Sequence, residues 1–297
     1  MNSQLPQLIE KAEILVNALP YLQAYRDKTV LIKFGGSAMD DPELVKKLMR
    51  DIVLLEVLGF NPVVVHGGGK AISKAMNEAG LEAKFVNGLR VTTKEAISIV
   101  EKTLSGTINP GLAQMFRDFG GKAIGIPGTE VFVGEKIQEK DADGNPIDIG
   151  EVGSVIGCQA SKIQEAIEMQ ITPIISPLAK ELGTHNPLNV NADLAAAALA
   201  KEIKPVKLVY ISDVPGIMQD PSDESSLIKS ITRQEALELI DDGTVSGGMI
   251  PKIKSAVEAL NAGVRKVHFI DGRVPHSILL EIFTNDGIGT EIIREQR

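Results

Sequence analysis

TVLIKFGGS, residues 29–37, decides the fold. Thr29–Phe34 is a short run of β-branched and aromatic residues that stops at Gly35-Gly36, so it reads as a buried strand ending in a turn. PVVVHGGGK, residues 62–70, repeats the arrangement: an apolar strand over Pro62–Val65 runs into His66-Gly67-Gly68-Gly69. Between them, Pro42–Leu58 has helical spacing, with Asp40 or Asp41 as cap and Pro42 in the first turn. Near-continuous apolar strands separated by helices imply a mainly parallel, open sheet covered by helices on both faces, a three-layer α/β sandwich.

The alternation continues outward. Helices are expected over Lys70–Ala79, Thr93–Phe119 with a break at Asn109-Pro110-Gly111, Lys162–Met169, Ala192–Ile203, Ile231–Asp242, Lys252–Ala262 and His276–Thr284. Strands are expected over Lys122–Ile126, Pro173–Ser176, Lys207–Ser212, Lys266–Ile270 and Thr290–Ile293, with hairpin material over Val131–Ile149. Residues 3–19 form a separate amphipathic helix. Leu5, Leu8, Ile9, Ala12, Leu15, Val16 and Leu19 share one face, Ser3 and Pro6 suit its start, and Pro20 disfavours its continuation. That face packs either on its own subunit or on a partner. Three segments follow: an N-terminal helix (1–25), an N-lobe (26–190) and a C-lobe (191–297), with a soft boundary.

The chain has 297 residues, and 31 Lys+Arg against 39 Asp+Glu leave a net charge of −8. That charge argues against a nucleic-acid binder or a membrane-surface patch. The 43% apolar content is enough for a core without a structural metal. The single cysteine, Cys158, cannot close an internal disulfide, which suits a reducing cytoplasm, and it reads as a small buried side chain. No secretory signal or membrane span is expected.

Four loops at strand ends carry the chemistry, where open α/β sheets place ligands. In the first, Lys33 inside an apolar strand is costly without an anionic partner, and Gly35 and Gly36 let backbone N–H groups approach a ligand; an edge-strand lysine before a turn is the alternative. In the second, the triple glycine opens a helix and reads as an anion cradle or, alternatively, as a plain tight turn. It is neither a Walker A loop nor a dinucleotide fingerprint. The third is Asn189-Val190-Asn191-Ala192-Asp193, where capping alone explains one of three polar residues. The fourth is Gly247-Gly248-Met249-Ile250-Pro251-Lys252, where a cation at a helix start opposes the dipole, so Lys252 either faces an anion or is simply solvated. Two lysines, glycine cradles and one carboxylate suit phosphoryl transfer, which asks for positioning and charge stabilisation. The four histidines lack metal-ligand spacing. By default Tyr21 and Glu281 read as surface or packing residues.

The ordered set KFGGSAM (33–39), PVVVHGGG (62–69), NGLRVT (87–92), NVNAD (189–193), SDVPGI (212–217) and GGMIPK (247–252) closely resembles the amino-acid kinase family over about residues 29–293. Within that family, Asn87–Thr92 favours the branch acting on N-acetyl-L-glutamate. The resemblance implies ATP-dependent phosphorylation of that acid's side-chain carboxylate, with Mg²⁺, in arginine biosynthesis. It implies that Lys33 and Lys252 flank the transferred phosphoryl group while Asp193 holds both. Gly35, Gly36 and the Gly67–Gly69 backbone would donate N–H groups, so Gly68 and Gly69 would face substrate. Arg90 would grip a carboxylate, with Asn189 and Asn191 on the acetamido acid. Nucleotide would be held by Asp213, Gly216, Ile217, Met218, Gly248 and Met249, together with Gly35 and Gly36.

Arginine-inhibited members resemble this chain in the extra N-terminal helix and in HSILLEIFTNDGIGT (276–290). This implies a homo-hexamer built from dimers through interlaced helices. It also implies an L-arginine site involving Tyr21, His268, Glu281 and Gly287. Some relatives bind a PII-type signalling protein, which the sequence leaves open here. Asp141–Ile147 and Ile156–Lys162 depart from the family pattern. Other carboxylate or carbamate acceptors, or a non-catalytic arginine or nucleotide sensor, are the alternatives.

Overall fold

A computed structural model describes residues 5–140 and 144–294. The expected helix start at Ser3 and the first part of the Asp141–Ile147 insert lie outside the described residues. At the centre is an eight-stranded sheet. Across it the order is Ser230–Thr232, Thr290–Ile293, Lys266–Asp271, Lys207–Ser212, Thr29–Phe34, Asn61–His66, Thr172–Ile175 and Ala123–Ile126. The strands run parallel except where Lys266–Asp271 meets Thr290–Ile293. The pairing of Thr29–Phe34 with Lys207–Ser212 joins the two halves, and it sets Lys33 beside Tyr210.

The period-2 alternation of the first strand explains the layers. Val30, Ile32 and Phe34 enter one core with Leu48 and Ile52 of helix Pro42–Val57, Phe116 of helix Asn109–Asp118, and Ile278 of helix Ser277–Phe283. Leu31 enters the opposite core, with Ala195 and Leu199 of helix Ala192–Ile203 and Ile253 and Leu260 of helix Met249–Asn261. Small alanines let Ala192–Ile203 lie close to the sheet. Each fully buried aliphatic side chain contributes roughly 1.5–3 kcal/mol. A second, four-stranded sheet, ordered Pro187–Asn189, Leu178–Glu181, Phe132–Lys136 and Gly153–Cys158, roofs one side.

Several expectations are corrected. No helix break occurs at Asn109-Pro110-Gly111. Ala96–Thr103 continues through a π turn, Leu104–Ile108, into Asn109–Asp118. Pro110 cannot donate an N–H and its ring crowds the preceding turn, so the helix widens just before it and does not stop. Ile231 belongs to an edge strand, and the helix starts only at Arg233 behind a Thr232–Glu235 capping box. The helix carrying Lys252 starts at Met249. The sequence pattern does not mark strands Leu178–Glu181 and Pro187–Asn189, because each is too short to show a period.

The N-terminal helix spans Leu5–Asn17, and a second short helix, Leu19–Tyr25, follows at Pro20. None of Leu5–Asn17 is buried, and Leu15 is 74% exposed. The chain's own body therefore leaves the apolar face uncovered, against packing on its own subunit. Among the described residues no helix is long and apolar enough to cross a membrane.

The Asp41 carboxylate accepts from the Glu43 and Leu44 N–H groups at 2.8 and 3.3 Å. Asp41→Ala is expected to destabilise the fold by about 1 kcal/mol. A urea titration checks this: the midpoint should fall with no change in slope, and an unmoved midpoint contradicts it.

Candidate active site

Three elements bring charge to one point. Lys33 comes from the central strand, Asp193 from the first turn of Ala192–Ile203, and Lys252 from the first turn of Met249–Asn261. Lys33 Nζ lies 2.7 Å from Asp193 Oδ1, and Lys252 Nζ lies 2.7 Å from Asp193 Oδ2. Lys33 and Asp193 are buried, so the anionic partner that the strand lysine demanded is present. Burial pushes the Asp193 carboxyl up, but the two ammonium groups overcome it and hold the carboxyl at about 2. Burial is the main cause that lowers Lys33, with Asp193 opposing it. A Cβ on Gly35 would stand 2.7 Å from Lys33 Nζ, so glycine there leaves room for the ammonium. Gly36 has φ +73° and faces the Asp213 carboxylate.

The triple glycine follows at the neighbouring strand end. Gly67 N–H donates to the Phe34 carbonyl at 2.7 Å, so it is not free to bind a ligand as expected. Gly68 and Gly69 N–H have no acceptor among the described residues, and both glycines line a cavity of about 220 Å³ that also reaches Lys33, Asp193 and Arg90. A Cβ on Gly68 would come within 2.7 Å of Leu104 and Ile108, so the loop backs directly onto the π turn.

Arg90 closes the far wall. Its guanidinium donates to the Gly69 carbonyl at 2.6 Å and to Ser73 Oγ at 2.8 Å, and it lies 4.6 Å from the Phe85 ring centroid. Burial lowers its pKa, and it forms no carboxylate pair among the described residues. The Arg90 carbonyl accepts from Thr92 Oγ1 at 3.0 Å, and Thr92 Oγ1 accepts from Asn189 Nδ2 at 3.0 Å. Asn191 is the capping residue of the third loop. Its Oδ1 accepts from the Asp193 and Leu194 N–H groups at 2.7 and 3.2 Å, leaving its amide nitrogen for the cavity.

The second-half candidates are more dispersed. Gly216 packs against Thr290, and Ile217 is a core residue whose N–H donates to Thr290 Oγ1 at 2.8 Å. Met218 pairs with Leu227. Gly248 precedes Met249 at the N-terminus of the Lys252 helix. Among the described residues no group of three or more His, Cys, Asp or Glu could hold a metal. Cys158 is half-buried and free, and burial pushes its thiol up to about 12, which makes it a poor nucleophile at neutral pH.

Glu281 is buried, the packing alternative of its default reading, and His268 Nδ1 lies 2.5 Å from its Oε1. Its other oxygen accepts from the Ile288 and Gly289 N–H groups at 2.8 and 3.2 Å, beside Gly287. Tyr21 O–H donates to Asn285 at 2.6 Å, which joins the second N-terminal helix to this stretch.

Sequence reasoning missed two supporting groups. His66 is buried behind the glycine loop and bonded to Asn109. Tyr210 O–H reaches Ser255 Oγ at 2.9 Å, and Ser255 Oγ donates to the Lys252 carbonyl at 2.8 Å. A polar residue at an apolar strand position was their only signal.

An α/β fold with paired lysines beside two glycine N–H groups suits an enzyme of the phosphoryl-transfer class. Residues 28–271 match the model of the "Amino acid kinase family". The chain is 82% identical, over 100% of both chains, to an acetylglutamate kinase of Akkermansia muciniphila. It is 45% identical to one of Syntrophomonas wolfei, over 97% of this chain and 98% of that one. It superposes with TM-score 0.83 on an N-acetylglutamate synthase from Neisseria gonorrhoeae, 24% identical, covering 96% of this chain but 64% of that longer one. The chain belongs to the amino acid kinase family and, within it, to the acetylglutamate kinases.

Asp193 sits below the ordinary carboxylate pKa of about 3.9, so it favours the folded state above pH ~4, and that contribution fades as pH falls towards 2. Asp193→Asn leaves the buried Lys33 and the part-buried Lys252 ammonium groups without their anion and should cost about 3–5 kcal/mol at neutral pH. Its loss of stability between pH 4 and 2 should be shallower than that of the wild type. Parallel acid limbs in chemical denaturation would contradict this pairing.

Proposed function

We infer that the chain transfers the γ-phosphoryl group of ATP to the side-chain carboxylate of N-acetyl-L-glutamate, giving the 5-acyl phosphate. The observation that carries this reading is the Lys33–Asp193–Lys252 ion cluster beside a cavity that is also lined by Arg90, which has no carboxylate partner among the described residues. The acceptor carboxylate is already ionised at neutral pH, so no general base is needed. What remains is charge: a transferring phosphoryl group and two carboxylates must be brought together. Lys33 and Lys252 flank the phosphoryl group, and Asp193 keeps both ammonium groups in place. Gly68 and Gly69 offer N–H donors that are fixed before the reaction begins. Arg90 takes the remote carboxylate of the acid, with Asn189 and the Asn191 amide on its acetamido group. Gly35, Gly36, Asp213, Gly216–Met218, Gly248 and Met249 form the nucleotide side. Mg²⁺ would arrive with the nucleotide phosphates, because among the described residues no group of three or more His, Cys, Asp or Glu could hold a metal.

The Glu281–His268–Gly287 cluster, tied to the N-terminal region through Tyr21 and Asn285, supports a site for L-arginine. The uncovered apolar face of Leu5–Asn17 supports association through that helix into a hexamer of dimers.

Trapping the acyl phosphate with hydroxylamine tests the reaction. Product with N-acetyl-L-glutamate is expected. Its absence there, with product from another acid or carbamate, would move the reading to a different acceptor. Lys33→Ala should reduce turnover about 10²–10³-fold, as for loss of one preorganised charge-stabilising group. Arg90→Ala should raise KM for the acid roughly 10- to 150-fold, the equivalent of about 1.5–3 kcal/mol. Near-normal constants in either variant would remove the assigned role. Added arginine should lower product, and removal of residues 1–25 should leave dimers on a sizing column. Insensitivity to arginine, or dimers in both forms, would contradict the regulatory reading.

A further inference from the structure

His66 ends the second strand, is fully buried and takes no direct part in the reaction above. Its Nδ1 lies 2.7 Å from the Gly67 carbonyl oxygen. A carbonyl can only accept, so Nδ1 carries a proton and donates. Its Nε2 lies 3.2 Å from Asn109 Nδ2, which also donates to the Ile174 carbonyl at 2.8 Å. Asn109 therefore presents an N–H, and Nε2 accepts. Burial pushes the imidazole down to about 4, so at neutral pH the ring has one proton to place, and these partners put it on Nδ1. Gly125 makes the arrangement possible, because a Cβ there would stand 2.1 Å from Asn109 Oδ1.

The Gly67 carbonyl and the Gly68 N–H belong to one planar trans peptide, in which the two groups point in opposite directions. Holding the carbonyl inward turns the Gly68 N–H outward, towards the cavity that Gly68 lines. The other end of Gly67 is pinned by its N–H bond to Phe34. We propose that His66 is a positioning residue: through Nδ1–H···O=C it fixes the Gly67–Gly68 peptide plane and so aims the Gly68 N–H at the transferring phosphoryl oxygen. This rests on the proposed kinase reaction. The hydrogen bonds from Asn109 to His66 to Gly67 form a relay of orientation, with no proton moved.

The test compares kcat and both KM values of the wild type, His66→Gln and His66→Asn with Mg-ATP and N-acetyl-L-glutamate. An asparagine amide nitrogen falls where Nδ1 stands and still serves the Gly67 carbonyl. A glutamine amide reaches the Nε2 position and serves Asn109 alone. In His66→Gln, kcat should fall about 100-fold with both KM values within about twofold, because a preorganised donor acts mainly in the transition state. His66→Asn should recover about tenfold of that loss. Equal losses in the two variants, or an undiminished kcat in His66→Gln, would overturn the proposal. If the variants do not fold, ¹⁵N-histidine spectra of the wild type decide, with His66 assigned by elimination against His185, His268 and His276 variants. A neutral Nδ1–H tautomer is expected, and an Nε2–H tautomer would overturn the proposal because Nδ1 could not then donate. A wild type that makes no acyl phosphate from N-acetyl-L-glutamate would fail the kinase reading while leaving the tautomer result to stand separately.

Discussion

One buried carboxylate between two ammonium groups organises this molecule. Asp193 meets Lys33 and Lys252 at 2.7 Å each, and the three groups sum to one net positive charge. Removing such charges from water costs several kcal/mol per ion, and the attraction of each ammonium group to the carboxylate offsets that cost. The fold delivers them from three separate elements, two of which belong to opposite halves of the chain and meet across the pairing of Thr29–Phe34 with Lys207–Ser212. Residual positive charge beside a cavity of about 220 Å³ is what an entering anion would neutralise. Structure and proposed chemistry thus share one constraint: the site is electrostatically complete only with an anion in it.

Around that centre, the supports are uncharged and buried. Tyr210, set beside Lys33 in register, reaches through Ser255 to the backbone of Lys252. Thr92 links the backbone of Arg90 to the side chain of Asn189, so two walls of the cavity are tied to each other. His66 and Asn109 stand behind the glycine loop. Neutral donors and acceptors of this kind fix geometry without altering the charge balance in front of them, and when satisfied they rigidify their surroundings.

Much of this was legible in the sequence, for identifiable reasons. Thr29–Phe34, Lys207–Ser212 and Thr290–Ile293 are compact β-branched runs, and Ala192–Ile203 is an alanine-rich helix behind an Asn cap. All four elements keep the expected bounds. Lys33 announced a missing anion because lysine is costly in an apolar strand. Which carboxylate would answer was not legible, since Asp193 lies in the other half and tertiary pairing decides it. Short strands such as Pro187–Asn189 carry no period, and a π turn leaves no mark except the proline that follows it. The donor pattern of the glycine loop was also hidden. Sequence gives three N–H groups there, and only the fold shows that Gly67 spends its own on Phe34. The N-terminal helix was legible as amphipathic, yet whether its apolar face is covered depends on chain packing and on partners.

The central claim is that Asp193 serves phosphoryl transfer by holding two lysines and does little to bind nucleotide. It is tested most directly by measuring the affinity for a non-hydrolysable ATP analogue and the single-turnover transfer rate on the same Asp193→Asn sample. The account predicts affinity within a few-fold of the wild type and a transfer rate lowered by about 10³ or more. Transfer at the wild-type rate, or losses of affinity and rate in equal proportion, would contradict it.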